Sequence, residues 1–247
     1  MKLSGFPLCG VTFRLLIALS LLVACAPQTQ QKISSQTPAE STISPVQFPS
    51  KYYQQALING QEILRVDAAR SLVTIEVHRG GVFAKMGHNH MVASHHVAGY
   101  VAVDDGRADI YVPLEKLSVD EAVLRQGAAF DTQPSADAIE GTRNNMLTKV
   151  LEVDRFPFAL IQIVRMERDS LAMKLKVLIT LHGMTRTLDI PANMEKIADG
   201  IVVNGALAFN QTDFGIVPFS VLGGALKVED NVDLRFSIVA IKMSHSN

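Results

Sequence analysis

Apolar and polar residues alternate through most of the chain beyond residue 63. Val73, Ile75 and Val77 alternate with Thr74, Glu76 and His78. Met173, Leu175, Val177, Ile179 and Leu181 alternate with Lys174, Lys176, Leu178, Thr180 and His182, and Val232, Leu234, Phe236 and Ile238 with Asp233, Arg235 and Ser237. Successive side chains of a strand point to opposite faces, so this period of two predicts antiparallel strands with one buried face. Further strands are predicted at 97–104, 108–114, 158–167, 186–192 and 201–210. Turn residues separate them, as in Asp104-Asp105-Gly106 and Ala198-Asp199-Gly200. With segments at 63–66 and 71–78 the count is about nine strands.

One stretch departs from this period. Between Ser135 and Leu151, Ile139, Met146, Leu147, Val150 and Leu151 recur at helical spacing, Ser135 is a capping residue, and Arg155-Phe156-Pro157 ends the segment. A short lead-in helix is predicted over 52–60. The fold class is therefore all-β with one inserted helix. So much apolar strand in one domain favours closure into a barrel, which removes exposed edges. An eight-stranded barrel has room inside for one ligand.

The N-terminus has a different pattern. Lys2 and Arg14 are the only charges before Lys32, and Arg14 is followed by about ten apolar or small residues up to Ala24. A bilayer span takes roughly 20 residues. A basic flank, a short apolar run and a small residue are the layout of a signal peptide, expected here over 1–24. The join Leu22-Val23-Ala24-Cys25 resembles the lipobox of bacterial lipoproteins. That resemblance implies acylation of the Cys25 thiol, with palmitate-type chains, and cleavage before it. Ala26 stands where Asp would favour inner-membrane retention, so the implied location is the outer membrane, facing the periplasm. Residues 25–50, rich in Gln, Ser, Thr and Pro, offer little to bury and are expected to be a disordered tether, with the folded domain at 51–247.

Composition narrows the chemistry. The two cysteines are Cys9, inside the leader, and Cys25, so the domain has no thiol nucleophile, thiolate metal site or disulfide. Loss of Lys2 and Arg14 with the leader takes the net charge from −1 to −3, which provides no basic excess for nucleic acid. With 48% hydrophobic and 19% charged residues, the apolar surplus must line a core or a cavity. No Gly-x-Ser-x-Gly elbow, phosphate loop or His-Glu-x-x-His is present, so no enzyme and no cofactor are called for.

Several segments, in order, are similar to the YceI-like family of periplasmic polyisoprenoid-binding proteins. They are Ser71-Leu-Val-Thr-Ile-Glu-Val-His78, Asn145-Met146-Leu147 with Val150-Leu151, Arg155-Phe156-Pro157, Leu181-His182-Gly183-Met184-Thr185-Arg186, Thr212-Asp213-Phe214-Gly215-Ile216 (after Gln211, where Arg is usual) and Gly223-Gly224-Ala225-Leu226-Lys227-Val228-Glu229-Asp230. The resemblance implies an extended, lipocalin-like antiparallel barrel. It also implies non-enzymatic binding of a long isoprenoid lipid, polyprenyl or quinone type, as an envelope carrier or buffer. Periodicity alone favours a filled core, and the resemblance reverses that preference. The tunnel wall is then expected at Val73, Ile75, Val77, Leu175, Val177 and Ile179, with Thr74, Glu76, Lys174 and Lys176 meeting water. Homodimerisation stays open.

Four of the seven histidines fall at His88, His90, His95 and His96, and His78 lies ten residues before His88. Three readings stand side by side: structural or loop histidines, headgroup contacts from His88 and His90, and a metal site drawn from His78, His88, His90, His95 and His96. Against the metal, the spacing fits no recognised motif and the cluster itself has no acidic ligand. His182, before Gly183 at a strand end, reads as a turn residue.

Overall fold

The computed structural model describes residue 45, residues 48–169 and residues 172–243. The predicted signal peptide, the acylation site Cys25 and most of the tether lie outside these described residues. Twelve strands are present among them: β1 Ile63–Val66, β2 Leu72–Gly80, β3 His90–Ser94, β4 Ala98–Ala102, β5 Arg107–Pro113, β6 Ser118–Val119, β7 Phe158–Asp169, β8 Ala172–Leu181, β9 Met184–Ile197, β10 Gly200–Asn210, β11 Ser220–Val221 and β12 Leu226–Lys242. The helices are α1 Ser50–Ile58, α2 Ala122–Ala128 and α3 Ala136–Asn145. None is long and apolar enough to cross a membrane.

All pairings are antiparallel and close into a barrel of eight staves. Five staves are single strands: β7, β8, β9, β10 and β12. The other three are broken pairs. β1 and β2 both pair with β12, β4 and β3 pair with them in turn, and β5 and β6 follow. β5 then meets β7, and the meander runs β7-β8-β9-β10-β12 back to the first stave. The three strands beyond the predicted nine are β3 and β6, which the breaks set apart, and β11, which pairs with β12 off the barrel's path. β3, β6 and β11 are too short to show a period.

Side chains hold the first break. Asp67 Oδ1 accepts the Ala69 N–H at 3.1 Å, and the Ser71 hydroxyl donates to Asp67 O at 2.7 Å while accepting the Val239 N–H at 3.0 Å. Ser71 is thus a buried clasp between the broken stave and β12. A bulge between Ile163 and Arg165 in β7 shifts the parity of that strand. Ala159, Ile161 and Ile163 face inward before it, Met166 faces inward after it, and Val164 is left exposed.

β6 does not pair with β7, and α3 fills that gap. Ser135 caps it, its hydroxyl accepting the Ala138 N–H at 3.3 Å. Arg143 donates to Leu117 O at 2.9 Å and Glu115 O at 2.6 Å, pinning the helix over the third break. One π-helical turn, Met146–Val150, continues α3. The inserted helix is therefore where its pattern put it, but it is not alone. α1 is the predicted lead-in, and α2 has no counterpart in the sequence reading. α2 spans only seven residues, with Gly127 near its end, too short to show a helical period. At the far end, α1 buries Tyr53 against β1 and β4. The Tyr53 hydroxyl donates to Asp109 at 2.6 Å, and Arg107 and Gln162 satisfy the same buried carboxylate at 2.7 and 2.9 Å.

Candidate functional site

The inner faces of the staves enclose a cavity of about 420 Å³. Its size falls within the range of small-molecule pockets. The wall comes from the period-two positions. Val73, Ile75 and Val77 of β2, Met173, Leu175, Val177, Ile179 and Leu181 of β8, and Val232, Leu234, Phe236 and Ile238 of β12 all contribute. All six apolar candidates from the sequence are on this wall. Their alternates face outward, where Lys174 meets Asp189 at 3.1 Å and Glu76 pairs with Arg235. Glu76 is less wet than expected, because the arginine covers it.

Polar groups collect at one end of the cavity, supplied by the end of β2, the start of β3 and the loop before it, α3, the turn after β10 and the start of β12. Here His78, Arg79, His88, His90, Thr142, Asn145, Gln211 and Lys227 enter the wall. His90 is anchored: its Nδ1 lies 2.6 Å from Asp120 Oδ2, and Asp120 also accepts the Met91 N–H at 2.9 Å and pairs with Arg125. Burial pushes the Asp120 carboxyl up, but the hydrogen bonds from His90, Met91 N–H and Arg125 outweigh it and hold the group below its ordinary range. His88 differs. Its ring centre lies 6.3 Å from that of His90, and its buried Nδ1 has no hydrogen-bond partner. Burial, followed by the positive neighbours His90, Arg125 and Arg79, lowers its basicity, so the ring stays neutral at pH 7. A neutral imidazole with one unused nitrogen at the end of an apolar tube can accept or donate one hydrogen bond to a ligand headgroup.

The five-histidine metal site is not formed. His78 pairs with Asp233 at 3.3 Å, His90 with Asp120, and His95 with Glu121 at 3.1 Å, while His96 lies exposed in the break between β3 and β4. Among the described residues no group of three or more His, Cys, Asp or Glu side chains could hold a metal ion. The reason is local. His78 and His90 lie on neighbouring strands beside the cavity end, β2 and β3, but each turns to its own carboxylate; His88 precedes β3, and His95 and His96 follow it. Each acidic partner comes from a distant part of the chain.

His182 and Gly183 are the two loop residues between β8 and β9, with φ of 50° and 75°. Two positive φ values make the tight hairpin turn that matches sheet twist. A side chain at Gly183 would meet Phe156 at 2.8 Å. The Thr212-Asp213-Phe214-Gly215 segment is likewise a built turn. Asn210 and Asp213 cap it reciprocally, Phe214 is buried, and Asp230 accepts the Thr212 N–H and hydroxyl at 2.9 and 2.5 Å. Gln211 donates to Glu229 O at 2.9 Å. Sequence reasoning missed Asp120, Arg125 and Thr142, and it quoted Asn145 and Lys227 only within family-like segments, not as site residues. The carboxylate and guanidinium lie five residues apart, a spacing with no motif attached.

Two solved structures share this architecture. A polyisoprenoid-binding domain from Saccharophagus degradans, described as implicated in plant cell wall breakdown, superposes with a TM-score of 0.53 at 12% identity, over 74% of this chain and 99% of that one. BcnA of Burkholderia cenocepacia superposes with a TM-score of 0.54 at 14% identity, over 70% of this chain and 98% of that one. No curated protein matches the chain. The model of the YceI-like domain matches residues 64–240, which span the barrel from β1 to β12, and the chain belongs to that family.

Proposed function

We propose that this protein binds a long-chain isoprenoid lipid, of polyprenyl or quinone type, inside the barrel, and serves as a carrier or buffer in the bacterial cell envelope. The observation that carries this reading is the division of the cavity into a long apolar wall, interrupted by Ser94 whose hydroxyl is engaged by the His96 N–H, and one end where the other polar groups gather. A prenyl tail presents almost only apolar surface, and removing that surface from water is worth about 25 cal/mol per Å². The headgroup then meets the polar end, where the unpartnered Nδ1 of His88 and the anchored ring of His90 supply hydrogen bonds. Polyisoprenoid binding by the Saccharophagus domain, which has the same fold, supports the ligand class. Binding rather than catalysis suits the site. The buried ionisable groups at its polar end, Asp120 and Arg125, are already paired with each other and with neighbouring groups.

The leader and Cys25 belong to the same proposal. Acylation would hold the barrel at the membrane that supplies its lipid. The test is native mass spectrometry of the protein extracted from envelopes. A retained mass matching a prenyl lipid is the expected result. Protein that emerges empty, and stays empty after incubation with polyprenol and with a long-tailed quinone, refutes the reading.

A further inference from the structure

The cavity wall does not stop at the mouth. Two loops there carry large apolar side chains into solvent. Val82, Phe83 and Met86 lie between β2 and β3, and Val217, Val221 and Leu222 lie between β10 and β12. Val82 is 85% exposed, Val217 78%, Met86 70% and Leu222 64%. The other exposed large apolar residues among those described, Ile58, Val103, Val123, Val164 and Met184, come one each from five separate parts of the chain, which is ordinary for a protein surface. A group of six at one place is not ordinary.

The two loops form one surface. The Phe83 N–H donates to Ala225 O at 2.8 Å, and a side chain on Gly81 would come within 2.5 Å of the same oxygen. The surface is also continuous with the cavity. Val221 is 40% exposed and at the same time part of the cavity wall, with Phe219 and Leu226 beside it. Residues 81–87 and 216–227 contain no carboxylate, and their charges are Lys85 and Lys227, both exposed. Lys149 adds a third cation over the Phe219 ring, 5.8 Å from its centre.

We propose that this apolar rim docks the barrel, mouth first, onto the surface of a phospholipid bilayer, and that the lipid passes into the cavity across it. The inference rests on the lipid reading of the cavity. The continuity of rim and wall selects the occupant. A tail leaving a bilayer can slide from Val82 and Leu222 past Val221 into the tube without crossing water, whereas a protein partner on the rim would seal the mouth. The lysines fit the same occupant, since basic residues beside an apolar patch favour anionic headgroups.

Hydrogen exchange of the full chain, with and without vesicles of phosphatidylethanolamine and phosphatidylglycerol, tests the docking directly. Vesicles should slow exchange at 81–87 and 216–227. A chain with Val82→Ser, Met86→Ser, Val217→Ser and Leu222→Ser should lose that protection. All four side chains are exposed, so the barrel should keep its fold. The same variant should take up polyprenol from vesicles at least tenfold more slowly than the parent, and from detergent micelles at the parent rate. Loops that vesicles do not protect, or protection that survives the four substitutions, overturns the proposal. So does protection that appears without vesicles as protein concentration rises, which marks a second copy as the occupant. Protection without polyprenol uptake from either source refutes the cavity reading and leaves the docking established.

Discussion

His90 and Asp120 stand 30 residues apart in the chain, yet their side chains meet at 2.6 Å, with Asp120 fully buried beneath the ring. Arg125 completes the group and donates to Asn89 O at 2.7 Å as well, so α2, β3 and the loop holding His88 are tied at a single point. Asp120 occupies the left-handed region, φ 58°, a conformation Asp tolerates better than most residues. The polar end of the cavity owes its shape to this carboxylate.

Removing the arginine should be costly. Arg125→Ala leaves a buried carboxylate without its full countercharge, a class of change that costs about 3–5 kcal/mol. The acid response follows from the depressed Asp120 carboxyl. Stabilisation from a lowered carboxylate is fully present above its ordinary value of 3.8 and is lost as pH falls through the lower folded value. Asp120→Asn should therefore be less stable at pH 7 and flatter below pH 4 in denaturant melts. A variant with the same acid limb as the parent would show that another carboxylate sets it.

His88 should impose a second pH response, in a different window. Its folded basicity is lowered, so the unfolded chain takes up the proton first. Stability from the neutral ring is complete above the ordinary value of 6.5 and declines as pH falls through the lower folded value. Protonation also makes both ring nitrogens donors, so the ring can no longer accept a hydrogen bond. We expect prenyl-lipid affinity to fall on acidification below pH 6.5. His88→Ala should bind a few-fold to about tenfold more weakly at pH 7.5, the worth of one hydrogen bond, and should lose the pH dependence. Isothermal titration of parent and variant at two pH values checks both.

Much of the barrel was legible because its wall obeys a period of two. Val73, Ile75 and Val77 face the cavity as their alternation predicts, and so do the runs in β8 and β12. The broken staves were legible only in part: β1, β2, β4 and β5 fall where strands were predicted, and their companions do not. The strands that escaped are β3, β6 and β11, segments of two to five residues, below the length at which alternation can be told from chance. The β7 bulge hid Met166, since parity counted from Ile163 puts it outside. The histidines misled for a related reason. Proximity in sequence suggested a cluster, but the strand starts at His90 and ends at Ser94, which sends the others to different partners. The rim could not be seen either, because Val82-Phe83 in a sequence reads as core until the fold turns it outward.

Acylation of the chain is testable independently of the barrel. The join Leu22-Val23-Ala24-Cys25 predicts that Cys25→Ser blocks processing or frees the protein into the periplasm. Labelled-palmitate incorporation and membrane fractionation of parent and variant are the measurements. Unchanged membrane association of the variant, or processing of the parent that globomycin does not block, would remove the lipoprotein proposal. Parent protein recovered with the inner membrane on a density gradient would remove only the assignment drawn from Ala26.

The cavity itself offers the sharpest test, at Val177. Its side chain is buried in the middle of β8, between Ile163 on β7 and Leu188 on β9, and it lines the 420 Å³ space. Val177→Asp would be uninformative, because an unpaired carboxylate costs several kcal/mol whether it faces a filled core or an empty tube. Val177→Phe separates the two. In a packed interior the added volume strains its neighbours by about 1–3 kcal/mol. Here the ring can extend into the space reserved for the lipid tail, so delipidated variant and parent should melt within about 1 kcal/mol of each other. Prenyl-lipid binding should fall sharply, because ring and tail claim the same volume. A large loss of apo stability would show that the space at Val177 is filled by the protein's own side chains, and the carrier reading would fall with it.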